Sequence, residues 1–186
     1  MEKTINSMWN YFLVLEDDMN NTTRYIEPLG NEEVWSFEFL KTLILSCTEV
    51  ESIFKIMCRE IDDTKSAGDI GTYKSTILQK YPKVVDAKVT VKRLGKDIKP
   101  FEGWDKGPLA WWDAYQHVKH NRENHFKEAT YKNAVTALSA LYVLILYLSK
   151  IRNFEIDSCY SKYIDSDYAL VWLVAKPPKK LPDFED

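Results

Sequence analysis

All three histidines of the chain fall within nine residues, in the segment Asp113-Ala-Tyr-Gln-His117-Val-Lys-His120-Asn-Arg-Glu-Asn-His125. Imidazole titrates near neutrality, so it suits proton transfer at physiological pH, and its neutral form ligates transition metals. Lys119 and Arg122 lie between the histidines, and a guanidinium presents a planar fork that matches phosphate oxygens. Three readings fit these residues. In one, Asp113, His117 and His120, spaced i, i+4 and i+7 on one helical face, hold a zinc or manganese ion, although no fourth ligand stands at a convincing spacing. In another, a histidine is a general acid/base while Lys119 or Arg122 grips a phosphate. In the third, the stretch is a solvated face and cap between two helices, with Trp111, Tyr115 and Val118 on the buried side.

The elements that position this stretch follow from hydrophobic periodicity. Residues 4 to 21 predict a helix carrying Met8, Phe12 and Leu15 at helical spacing, closed by Asn20 and Asn21. From Glu33 to about Asp62, Phe37, Leu40, Ile44, Cys47, Phe54, Cys58 and Ile61 recur at helical steps and predict one long amphipathic helix. Glu51 lies inside that stripe and Glu49 points away from it. A carboxylate on an apolar face needs a partner or water, and a pairing with Lys119, His120 or Arg122 would brace the basic residues. A loop from 63 to 71 leads to a short helix that ends before Pro82. Alternation from about 87 to 100, around Gly95-Lys96, predicts an inserted β-hairpin with lysines along its edges.

After Gly107-Pro108, a helix from Leu109 to about His120 carries Trp111 and Trp112. The polar run from His120 to Glu128 interrupts the pattern, and Thr130 is placed to cap a final helix from Tyr131 to about Arg152. That helix is apolar nearly all round and belongs in the core. Its apolar run, Ala134 to Leu148, is shorter than the ~20 residues that cross a bilayer. The stretch from about 153 to 186 predicts an irregular C-terminal arm with a basic Lys176-Pro-Pro-Lys-Lys180 segment. The whole, 1 to 186, reads as a single, mainly α domain: a bundle of about four to five helices with a small inserted β-hairpin.

Composition sets outer limits. At 45% hydrophobic and 28% charged, 186 residues suffice for one well-packed core. A net charge of −3 gives no global basic field, so any nucleic-acid contact must rest on local patches: 83 to 99, 119 to 122 and 176 to 180. The cysteines, Cys47, Cys58 and Cys159, show no metal spacing and suggest reduced thiols in a cytoplasmic setting. No leader segment is read at Met1, and no Gly-rich phosphate loop, nucleophile elbow or dinucleotide fingerprint appears. The expectation is therefore no cofactor, no metal and no membrane association.

The segment Trp111-Trp-Asp-Ala-Tyr-Gln-His-Val-Lys-His-Asn-Arg122, followed by Phe126, Ala129 and Asn133 before the apolar last helix, resembles the HEPN superfamily of small helical domains. The long helix carrying Glu49 and Glu51 adds to the likeness. The pattern is similar to an uncharacterised bacterial group with WW-x2-Y-x2-VKH-x-R. The resemblance implies a metal-independent endoribonuclease or nucleic-acid-binding effector of toxin–antitoxin or phage-defence systems, acting on RNA. It also implies a homodimer and a cognate antitoxin or other protein partner. Competent members carry Arg, four to six residues, then His. Here Arg122 precedes His125 by two intervening residues, while Lys119 precedes it by five with Lys in place of Arg. The candidate catalytic residues are thus His120, Arg122, His125 and Lys119, supported by Glu51, Asn121, His117 and Asp113. The alternative is a non-catalytic helical protein-interaction or nucleotide-binding module.

Overall fold

The computed structural model describes residues 2–63, 68–154, 156 and 164–165. The elements are α1 (Glu2–Thr22), α2 (Phe37–Ile61), α3 (Ile70–Lys80), β1 (Val89–Val91), β2 (Lys96–Ile98), α4 (Ala110–His120), α5 (Arg122–His125), α6 (Tyr131–Ile151) and β3 (Ile164–Asp165). Short 3-10 turns cover Pro82–Asp86 and Phe126–Glu128. Among the described residues, five helices exceed one turn and α5 is a single turn of four residues, so the protein is mainly α with a small β-hairpin, as the periodicity predicts.

Helix α6 forms the spine. It packs against α1, α2 and α4, and fifteen of its 21 residues are buried. By length and composition it could cross a membrane, but here three helices cover it. Thr130 starts it as predicted, its hydroxyl accepting the Asn133 N–H at 3.1 Å. Helix α1 presents Ile5, Trp9, Phe12, Leu15 and Met19 to the core. Trp9, Phe12 and Tyr142 of α6 form one aromatic cluster with ring centres 5.1 to 5.8 Å apart.

Helix α2 departs from its expected stripe. Phe37 is 69% exposed, while Phe39, Leu43, Val50, Ile53 and Met57 are buried beside Leu40, Cys47, Phe54 and Cys58. The reason is the number of neighbours: α2 touches α1, α3, α4 and α6, so its buried face is broader than a stripe made against one partner. Phe54 sits where these layers meet, its ring packed on Tyr73, Phe101, Trp104 and Trp112.

The hairpin forms within the predicted limits, with Val89 opposite Ile98 and Val91 opposite Lys96. Gly95 takes φ +59, a left-handed conformation that glycine adopts without steric cost. A third strand modifies the expected irregular arm. β3 pairs antiparallel with the other edge of β1, placing Ile164 opposite Val91. The Ile164 N–H also donates to the buried Glu16 carboxylate of α1 at 3.0 Å. This contact is invisible in local sequence because it joins residues far apart in the chain. Cys159 and the Lys176–Lys180 segment lie outside the described residues.

Candidate functional site

The site is built where α4 ends. Its first turn is anchored on both sides: Trp111 donates its indole N–H to the Pro100 carbonyl at 2.7 Å, and Trp112 packs on Phe54. Tyr115 and Val118 continue the buried side, while His117 and His120 are exposed on the other, as the spacing predicts. Asn121 closes the helix with its N–H on the His117 carbonyl, and its side chain accepts from Asn124 at 3.0 Å. The chain then turns through α5 and the 3-10 turn, which both lie back against α4.

That reversal brings His117, His125 and Glu128 together. Nδ1 of His117 lies 2.8 Å from one Glu128 carboxylate oxygen, and Nδ1 of His125 lies 2.6 Å from the other. The imidazole rings face each other at 4.7 Å, tilted by 36°. An ionised carboxylate only accepts hydrogen bonds, so each Nδ1 carries a proton and donates it. Each Nε2 is therefore left pointing away from Glu128. Burial pushes the Glu128 carboxyl upward, but the hydrogen bonds and positive charge of His125 and His117 outweigh it and hold the group below the usual carboxylate range.

The backbone of Glu128 is itself fixed by the start of α6. Its carbonyl accepts the Asn133 side-chain amide at 2.8 Å and the Thr130 N–H at 2.8 Å. The cap of the core helix thus sets the position of the carboxylate that holds both histidines.

Beside this triad is an exposed aromatic patch. The segment before α2 runs antiparallel to the segment before α6. Its hydrogen bonds are Tyr131 N–H to Val34 O (2.8 Å), Lys132 N–H to Glu32 O (2.9 Å) and Ser36 N–H to Ala129 O (3.4 Å). This pairing places Trp35 and Phe37 on Phe126, with ring centres at 5.0 and 4.6 Å. Trp35 is 43% and Phe37 69% exposed, so the cluster covers Phe126 while keeping open faces to solvent.

The other predicted residues divide. Arg122 and His120 are exposed and have no hydrogen-bond partner among the described residues. Lys119 lies about 200° around the helix from His117 at 100° per residue, on the far side. Its ammonium accepts no role at the histidines: it donates to the Tyr115 hydroxyl at 2.9 Å and sits 5.0 Å over that ring. The hydrogen bond to Tyr115 raises its pKa despite some burial, with Glu51's charge contributing. Burial drives the pKa of the Cys47 thiol well upward, and the charge of Lys119 opposes this through space. Glu51 pairs with Lys55 on its own helix at 2.7 Å, and its influence on Lys119 is through space. Its neighbour Glu49 is half-buried, and desolvation raises its pKa. Asp113 does not reach His117, which is turned to Glu128; it lines a cavity of about 310 Å³ with Lys74, Trp104 and Trp112.

Two parts of the site escape sequence reasoning. Glu128 follows His125 at i+3, a spacing that could have flagged the pair, but its reach to His117 depends on the chain reversal. The Trp35–Phe37–Phe126 patch joins residues about ninety positions apart and leaves no local signal. No family model, no curated protein and no solved structure matches the chain.

Proposed function

We propose that this protein is an RNA-directed helical domain of the HEPN type that cuts single-stranded RNA without a metal, using His117 and His125 as its proton couple. The observation that supports this most is the pair of imidazoles held on one carboxylate, 4.7 Å apart, each with Nε2 free. In the reaction one ring of the pair is neutral and acts as the base while the other is protonated and acts as the acid. The neutral imidazole takes the proton of a ribose 2′-OH, whose oxygen bonds to the adjacent phosphorus. The P–O5′ bond breaks, and the charged imidazole protonates the leaving O5′. A 2′,3′-cyclic phosphate and a 5′-OH result, with the couple carrying the same number of protons as before.

Arg122, exposed and without a hydrogen-bond partner among the described residues, is the cation this reading assigns to the phosphate. Trp35 and Phe37 offer open ring faces on which a base stacks, an interaction worth about 1–3 kcal/mol per base and tolerant of sequence. The 2′-OH is the reactant, so DNA is bound but not cut. The homodimer and the antitoxin partner that the HEPN resemblance implies belong to the same proposal.

The test is incubation of full-length, tag-free protein in EDTA with an end-labelled single-stranded RNA. Wild type is expected to produce cyclic-phosphate ends, and His117→Ala or His125→Ala to slow this by about 10²–10⁴-fold. Arg122→Ala should weaken binding in a salt-dependent way. RNA left intact by wild type, or cut equally by both histidine variants, overturns the cleavage reading; salt-sensitive binding without cleavage would instead favour a binding-only module.

A further inference from the structure

We infer that His117, His125 and Glu128 also form a binding site for a single transition-metal dication of the zinc class, and that metal and RNA cleavage exclude each other there. The binding part stands by itself; the exclusion rests on the proposed cleavage. Three ligands suited to zinc, two imidazoles and a carboxylate, converge from α4, α5 and the following 3-10 turn, with their donor atoms all within 4.8 Å of one another. Imidazole nitrogen and one carboxylate favour zinc, copper or nickel over magnesium, which prefers oxygen donors and retained water.

Zinc bonds of about 2.0–2.2 Å to nitrogen and oxygen place tetrahedral ligand atoms roughly 3.3 Å apart. The Nδ1–carboxylate distances, 2.8 Å to one Glu128 oxygen and 2.6 Å to the other, must open by roughly 0.5–0.7 Å, and donor atoms standing up to 4.8 Å apart must close toward that spacing. His117 is 51% exposed and the other two side chains about a third, so each can shift without disturbing the core. The backbone under Glu128 stays clamped by Asn133 and Thr130, an outer support of the kind that orients metal ligands. Three protein ligands at a solvent-facing site leave the fourth position to water, the pattern of an open rather than a structural zinc site.

Binding through Nδ1 changes the tautomer of both rings. Their remaining protons move to Nε2, and any additional proton on the pair is released to solvent. Each outward nitrogen then becomes a donor only, so neither ring can accept the 2′-OH proton. The same three residues would thus be a proton couple without metal and an inert chelate with it.

The decisive measurement is titration of the full-length, tag-free protein with Co²⁺, read by visible d–d absorption, followed by Zn²⁺ competition and calorimetry. One ion per chain is expected, with micromolar affinity and no displacement by excess Mg²⁺. His117→Ala and His125→Ala should each abolish the Co²⁺ spectrum, and Glu128→Gln should weaken Zn²⁺ binding by about 10–100-fold. His120→Ala, which removes the neighbouring exposed imidazole, should leave both unchanged; circular dichroism confirms that each variant is folded. Absence of a 1:1 complex, retention of the spectrum in either triad variant, or equal loss in His120→Ala would overturn the site. None of these readouts involves RNA, so they fail or succeed separately from the cleavage reading. Where wild type does cut RNA, Zn²⁺ should inhibit it over the same concentration range as the calorimetric binding; cleavage that persists in the zinc-saturated protein refutes the exclusion.

Discussion

Replacing Glu128 with glutamine separates the carboxylate's structural contribution from its chemical one. The wild-type side chain accepts two hydrogen bonds, from His117 at 2.8 Å and His125 at 2.6 Å, and is about one-third exposed. Hydrogen bonds to buried charged groups contribute about 1.5–3 kcal/mol each, but solvent screening at this exposure brings each nearer to about 0.5–1 kcal/mol. Glutamine retains one acceptor oxygen and so satisfies one Nδ1–H; its amide nitrogen is a donor and meets the second imidazole only if that ring changes tautomer. The expected stability loss is therefore small, about 0.5–1 kcal/mol, or roughly 1–4 °C in Tm for a chain of this size. Catalysis should suffer more. With one ring in the wrong tautomer, RNA cleavage should fall by about 10²–10⁴-fold, the size of a lost acid–base contribution, while RNA binding is unchanged.

The assay pairs a fluorescence-quenched RNA substrate with a separate binding isotherm and a thermal melt across pH. The pH dependence has a definite sign. Glu128 is held below the usual carboxylate range, so the folded state binds fewer protons there than the unfolded chain. The stability difference between wild type and Glu128→Gln should be complete above the ordinary glutamate pKa. It should vanish as pH falls through the lowered value in the folded state. An unchanged cleavage rate, or a loss of binding in proportion to rate, would refute the assignment of Glu128 to the proton couple.

Two further predictions concern what holds the site in place. Phe54 is fully buried against four aromatic rings from three parts of the chain, so Phe54→Ala should cost about 3–5 kcal/mol, or roughly 6–20 °C in Tm. A loss below about 1.5 kcal/mol by urea denaturation would show that this cluster does not anchor the tryptophan-rich helix. Thr130→Ala should cost about 1 kcal/mol by leaving the Asn133 N–H uncapped, and Thr130→Ser should restore most of it. Equal melting of the two variants would remove the cap from the account of how Glu128 is positioned.

Local pattern alone determined a good deal. Helical periodicity is set by the backbone's own repeat, so α1, α4 and α6 could be read to within a few residues, as could the cap at Thr130 and the hairpin around Gly95. The same repeat separated the buried Trp111–Tyr115–Val118 side of α4 from the exposed side bearing His117 and His120. It also located the candidate site, since every histidine of the chain lies in that one stretch.

Tertiary structure decided which residues act together. Lys119 and His117 are two positions apart in sequence yet on opposite sides of α4, so Lys119 rests on Tyr115 instead of joining the histidines. Glu51, expected to reach across to the basic residues, is taken by Lys55 one turn away, the nearer partner at no cost in chain ordering. His117 moves from a supporting position to the centre because the chain reverses after Asn121 and returns Glu128 to it. Phe37, whose spacing places it in the core, is instead turned outward onto Phe126. A reversal and a strand-like pairing between residues 32–36 and 129–132 are long-range events, and hydrophobic period carries no information about them. The sequence therefore specified where the histidines lie, and packing of the chain specified which of them meet on one carboxylate.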